Sequence, residues 1–171
     1  SECKFIPEPY KFSSVTSRIA LLQGLLDTDG HVRPADNNIE YSSSSRRLAE
    51  DVRFLVESLG GTARIRPKPT SRLTSYRMSV ILPEGIAPFA LGRKARTYRA
   101  RSKYPPCRAI VSVTPVGRKQ TQCIAVDAPD HLYVTDDFIV SHNTMQSIVA
   151  MRLLFHGGLI RNALVICPKP L

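Results

Sequence analysis

Apolar residues first recur at helical spacing at Ile19, Leu22, Leu25 and Leu26, behind Thr16 and Ser17, which can cap a helix. The pattern predicts a helix over residues 17–26, ending in Asp27-Thr28-Asp29-Gly30. Two short strands are expected at 31–33 and 39–43, around a Pro-Ala-Asp-Asn-Asn turn. A second helix over 46–59 places Leu48, Val52, Leu55, Val56 and Leu59 on one face and stops at Gly60-Gly61. Strands over 62–67 and 75–82 follow. Alternation sends Arg64, Arg66 and Lys68 one way and Ala63 and Ile65 the other, and sets Met78, Val80 and Leu82 against Ser75, Arg77 and Ser79. A short helix near 86–91 completes an αββαββα order.

The pattern then changes twice. Residues 109–116, 122–127, 131–135 and 138–140 read as short strands separated by turns, an all-β segment. Residues 145–155 read as a helix closed by Gly157-Gly158, and 163–167 as a continuous apolar strand of the buried, parallel type. The fold class is therefore α+β, with domains expected at 1–108, 109–143 and 144–171. The chain opens Ser-Glu-Cys without Met and ends directly after a strand-like run, so it reads as a fragment.

Charge sharpens this division. The net charge of +10 is uneven: residues 1–110 carry 19 Lys and Arg against 10 Asp and Glu, residues 111–143 carry 2 against 4, and residues 144–171 carry 3 against none. A basic first segment suits a polyanionic partner. Residues 93–108 hold seven basic groups and no acid, which with Pro105-Pro106 reads as a linker able to touch DNA. The four cysteines form no C-x-x-C pair, so neither a zinc site nor a disulfide framework is signalled, and a reducing cytoplasm is expected. No apolar run reaches the length of a membrane span.

Leu22-Gln23-Gly24-Leu25-Leu26-Asp27-Thr28-Asp29-Gly30 resembles the LAGLIDADG motif of homing endonucleases, with Gln23 and Thr28 in place of alanines. The resemblance runs over about residues 16–100, through Ser44-Ser45-Arg46-Arg47-Leu48. It implies double-stranded DNA as partner and Mg²⁺ as cofactor, with Asp29 as catalytic residue and metal ligand. It also implies that Asp27 caps backbone groups and that Gly24 lets two such helices approach closely. Arg33, Arg64, Arg66, Lys68 and Arg77 are then the DNA-binding residues. Only one motif helix is present, so the first endonuclease half is expected upstream.

The block from Cys123-Ile124-Ala125-Val126-Asp127 to Ser141-His142-Asn143-Thr144 resembles the C-terminal splicing region of inteins, of the Hint fold. The resemblance covers residues 109–144 and gives each residue type a task. The Asn143 side-chain amide attacks its own carbonyl carbon, closing a succinimide and breaking the bond to Thr144. His142 protonates the leaving amine or polarises the carbonyl, and His131 assists. The Thr144 hydroxyl accepts the upstream host segment, the N-extein. Cys123 fits two readings: an internal nucleophile for inteins that lack one at their first residue, or a small core residue.

Residues 144–171, with Thr144-Met145-Gln146-Ser147 opening a helix and Leu164-Val165-Ile166-Cys167-Pro168-Lys169-Pro170 closing the chain, resemble superfamily-2 helicases of the chromatin-remodelling type. There a phosphate loop ending in Thr opens a helix. The expected function is protein splicing coupled to site-specific DNA cutting. The alternatives are a degenerate DNA-binding domain that neither splices nor cuts, and a fragment of an ATP-dependent helicase.

Overall fold

The computed structural model describes residues 2–71, 73–99, 105–112, 114, 116–117, 119–120, 124, 126–141 and 143–162, with only the backbone of 143–147. The chain divides into two compact units, Ser1–Val113 and Thr114–Leu171.

The first unit is α+β. A single helical turn, α1 (Glu8–Lys11), precedes α2 (Val15–Asp29), which runs three residues beyond the expected end. Its cap is Ser14, whose Oγ accepts the Ser17 N–H at 3.2 Å. The helix stops at Gly30, where a Cβ would lie 2.6 Å from the Leu26 carbonyl oxygen, so only glycine fits that tight exit. β1 (Gly30–Val32) and β2 (Ile39–Ser43) form a hairpin. α3 (Arg46–Ser58) is capped by Ser45, which accepts the Leu48 N–H at 3.2 Å and donates to the Lys4 carbonyl at 2.6 Å. β3 (Thr62–Lys68) and β4 (Ser75–Ile81) complete an antiparallel sheet of order β1-β2-β4-β3.

Ile39, Tyr41, Met78 and Val80 point to one face and are buried against Leu22 and Leu26 of α2 and Leu48, Val52, Leu55 and Val56 of α3. Each such side chain contributes about 2 kcal/mol by burial. The helices therefore cover one face of the sheet and leave the other to solvent. The N-terminal segment is strapped to α3 through buried Asp51, which accepts the Ile6 N–H at 2.8 Å and the Lys11 ammonium at 3.1 Å.

The helix expected at 86–91 lies instead at α4 (Gly92–Ala95). Pro88 in the middle of the expected stretch removes a donor and blocks helical backbone before it, and Gly85 turns the chain with φ of +91°.

The second unit holds a small hairpin, β5 (Tyr133–Val134) and β6 (Val140–Ser141), followed by α5 (Asn143–His156). A turn at Asp136–Phe138, with Asp137 at φ +59°, joins the strands. α5 closes at Gly157 and Gly158 as expected, Gly157 N–H bonding the Leu153 carbonyl at 2.8 Å. The strands expected at 109–116 and 122–127 are not formed among the described residues there. Ile110, Val111, Val116 and Ile124 are exposed, and strand backbone without a neighbouring edge leaves its polar groups unpaired. The expected strand at 163–167 lies outside the described residues. No described helix is long and apolar enough to cross a membrane.

Candidate DNA-binding and cleavage site

The end of α2 is held by the segment that follows β4. Gln23 and Asp27, one turn apart, face it: the Gln23 amide donates to the Ala87 carbonyl at 2.9 Å, and Asp27 Oδ2 accepts the N–H groups of Ala90 and Leu91 at 3.1 and 3.0 Å. Lys94 turns inward and donates to the carbonyls of Leu26 and Asp27 at 3.1 and 2.7 Å, and also to that of Gly30. A cation on the last carbonyls complements the negative end of the helix. This part of the basic run is therefore built into the domain rather than a loose linker.

Asp29 is exposed and makes no hydrogen bond among the described residues. Tyr41 lies behind it, opposite Gly30 in the β1–β2 register. The Tyr41 hydroxyl is buried and has no hydrogen-bond partner among the described residues. Burial, with the nearby Asp29 charge, pushes its pKa up to about 12, opposed by the neighbouring Ser43 hydroxyl. Gly24 faces open space, with nothing within 4 Å of where a Cβ would sit.

The solvent face of the sheet follows from register. Glu40 and Arg64 both pair with Ser79; Ser42 and Arg66 both pair with Arg77; Lys68 pairs with Ser75. The structure thus brings Arg64, Arg66, Lys68 and Arg77 onto one exposed face. Arg66 and Arg77 stand directly opposite, a like-charge pair that costs stability in isolation and is relieved by an anion. Arg77 reaches Glu40 only at 3.8 Å. Arg33 is differently placed: its guanidinium forks onto Asp36, with Nε to Oδ1 at 2.9 Å, which lowers the Asp36 pKa to about 2.

Among the described residues no group of three or more His, Cys, Asp or Glu side chains could hold a metal ion. Asp29 offers one carboxylate. Mg²⁺ binds through one or two carboxylates with waters and substrate phosphates, so Asp29 fits as part of such a site and not as the whole.

In the second unit, His131 Nδ1 lies 3.2 Å from the Val126 carbonyl oxygen. A carbonyl oxygen only accepts, so Nδ1 is the donor in that contact. Pairing of Tyr133 with Ser141 carries His131 and Asn143 to the same open end of the hairpin. Cys123 and His142 lie outside the described residues, as do the side chains of Asn143 and Thr144.

Three participants escaped sequence reasoning: Lys94 as a helix cap, Asn37 as a clasp on Arg99 (below), and Tyr41 behind Asp29. Asn37 alone carried a signal, since asparagine tolerates the left-handed backbone it adopts at φ +54°.

Residues 16–90 match the LAGLIDADG-like domain. Members of that family are DNA endonucleases whose LAGLIDADG domains bind DNA. The chain is also similar to a protein named replicative DNA helicase DnaB from Mycobacterium intracellulare, with 36% identity over 159 residues, 87% of this chain. It spans 27% of that relative's length. An alignment of 159 residues is longer than the first unit, which ends at Val113, so the similarity runs on into the second.

Proposed function

We propose that this chain is the C-terminal part of an intein carrying half of a homing endonuclease, interrupting a DNA helicase at Asn143-Thr144. The observation that carries the reading is the combination in one chain of a LAGLIDADG-like domain and helicase similarity extending past it. The domain accounts for DNA; the helicase similarity supplies a host.

In the cutting reaction Asp29 contributes a carboxylate ligand at the end of α2, and Gly24 lets a second motif helix approach. A divalent cation, held jointly with the other half and the DNA, supplies activation of water and shielding of phosphate charge. Arg64, Arg66, Lys68 and Arg77 lie along the groove, combining phosphate contacts with base readout. Arg33 serves through its backbone turn or exchanges Asp36 for phosphate.

In splicing the Thr144 hydroxyl oxygen first forms a bond to the acyl carbon of the upstream host segment, while that carbon's bond to the intein side breaks and the departing group takes the hydroxyl proton. The Asn143 Nδ2 then forms a bond to its own carbonyl carbon while the bond to the Thr144 nitrogen breaks. His142 gives that nitrogen its proton, and His131 Nε2 takes one from the attacking amide. Cys123 is either the internal nucleophile of the first step or a core residue. A Cys123→Ala precursor distinguishes them, since efficient splicing would return it to the core. Exposed Ile110, Val111, Val116 and Ile124 would enter strands once the upstream half of the Hint fold supplies edges.

After splicing, Thr144 becomes the last residue of the host's phosphate loop. The host is read as an ATP-dependent helicase acting in the cytoplasm; superfamily 2 is the type suggested by residues 144–171, and the similar protein's name points to a replicative one.

The nuclease half is tested with the full-length protein and a duplex carrying the host gene's uninterrupted insertion site. Cleavage with Mg²⁺ that disappears in Asp29→Asn supports the reading. Unchanged cleavage removes Asp29 from the site.

A further inference from the structure

The basic segment after β4 has a structure the proposed groove-facing sheet does not use. Its backbone is fixed at three points. Asp27 holds Ala90 and Leu91, Lys94 reaches back to the end of α2, and Asn37 clasps Arg99 in both directions, its Oδ1 accepting the Arg99 N–H at 3.1 Å and its amide donating to the Arg99 carbonyl. Tyr98 packs edge-on to buried Phe89, 6.4 Å between ring centres. Lys94 and Tyr98 are thus the inward residues, one helical turn apart. Arg93, Arg96 and Arg99 are all exposed, at every third position. Among the described residues none of the three forms an ion pair.

Three exposed arginines therefore sit on a backbone-fixed segment that runs from the end of α2, where Lys94 bonds the carbonyls on both sides of Asp29, to the β1–β2 turn, where Asn37 holds Arg99. Holding the segment by its backbone spares most of the ordering cost that a flexible basic tail pays on binding.

We propose that Arg93, Arg96 and Arg99 form a phosphate-binding ridge that grips the backbone of duplex DNA next to Asp29, separate from the groove-facing residues of the sheet. This rests on the DNA reading above. The ridge contributes affinity without sequence preference, because guanidinium–phosphate contacts carry no base information. Because Lys94 anchors one end of the segment at the end of α2 that carries Asp29, the ridge would hold the strand leading toward that end of the helix.

The test uses the 171-residue chain and a fluorescent mixed-sequence duplex of about 30 base pairs, with anisotropy read across a KCl series. Three variants are compared: Arg93→Gln/Arg96→Gln/Arg99→Gln on the ridge, Arg64→Gln/Arg66→Gln/Lys68→Gln on the sheet, and Lys119→Gln/Arg152→Gln/Arg161→Gln in the second unit. All nine side chains are exposed, so the fold is expected to survive each change. The ridge variant should bind about tenfold more weakly near 0.1 M salt and shallow the log–log salt slope by about 2 to 3. The second-unit variant should leave the slope nearly unchanged. A ridge variant with the parental slope, or a second-unit variant that shallows it equally, overturns the ridge. If the sheet variant weakens binding and the ridge variant does not, the ridge alone falls. If neither weakens it, the DNA reading falls as well.

Discussion

Asp27 and Asp29 leave the same last turn of α2 and have opposite surroundings: Asp27 accepts two backbone N–H groups from Ala90 and Leu91, while Asp29 is exposed and unbonded among the described residues. Asp27→Ala should cost about 1–2 kcal/mol, since it removes two charge-assisted hydrogen bonds. Asp29→Asn should leave stability within about 0.5 kcal/mol of the parent. Urea denaturation of the two variants checks this. Equal losses would mean that Asp29 has a structural role.

The strap on α3 sets a larger effect. Asp51→Ala strips the partner from the Ile6 N–H and the Lys11 ammonium at a buried position. A loss of about 3 kcal/mol is expected, together with faster proteolysis of the first residues in a limited-digestion time course.

Gly24 and Gly61 should respond in opposite directions to alanine. Gly24 lies in a helix interior with open space around it, so Gly24→Ala should stabilise by about 0.5–1 kcal/mol. It should impair DNA cleavage by the full-length protein, where the proposed second helix packs. At Gly61 a Cβ would meet the Ile81 carbonyl oxygen at 2.6 Å and Val56 Cγ1 at 2.8 Å, so Gly61→Ala should cost about 2 kcal/mol. Thermal melts of both, with cleavage assays of Gly24→Ala, test the pair.

Tyr41 defines the alkaline limit. Its folded pKa of about 12 exceeds the ordinary value of 10. The folded state therefore holds the phenolic proton more tightly, and the associated stability is complete below pH 10 and lost as pH rises toward 12. Tyr41→Phe should flatten that part of the stability–pH curve. It should also raise stability at neutral pH by about 1 kcal/mol, because the buried hydroxyl lacks a partner.

Much of the first unit was legible because its elements carry strong one-sided patterns. Val52, Leu55 and Val56 marked the inner face of α3, and the alternation of Arg64, Ile65 and Arg66 marked both faces of β3. The helix expected at 86–91 does not form there, because Pro88 interrupts the stretch and the helix starts only at Gly92. Lys94 reads in sequence as part of a basic linker able to touch DNA, because its partners, the carbonyls at 26, 27 and 30, come together only in the fold. Arg33 was assigned to DNA although Asp36, three residues on, was placed to hold it. Strands expected at 109–116 and 122–127 are not formed among the described residues, since short apolar runs do not say whether this chain supplies a neighbouring edge.

The most direct test of the account is peptide mapping by mass spectrometry of the full-length protein after expression in cells. The account predicts a mature host peptide in which an upstream host residue is joined directly to Thr144, an excised product ending at Asn143, and neither in Asn143→Ala. A single product with the Asn143–Thr144 bond intact, or the same joined peptide in Asn143→Ala, would contradict it.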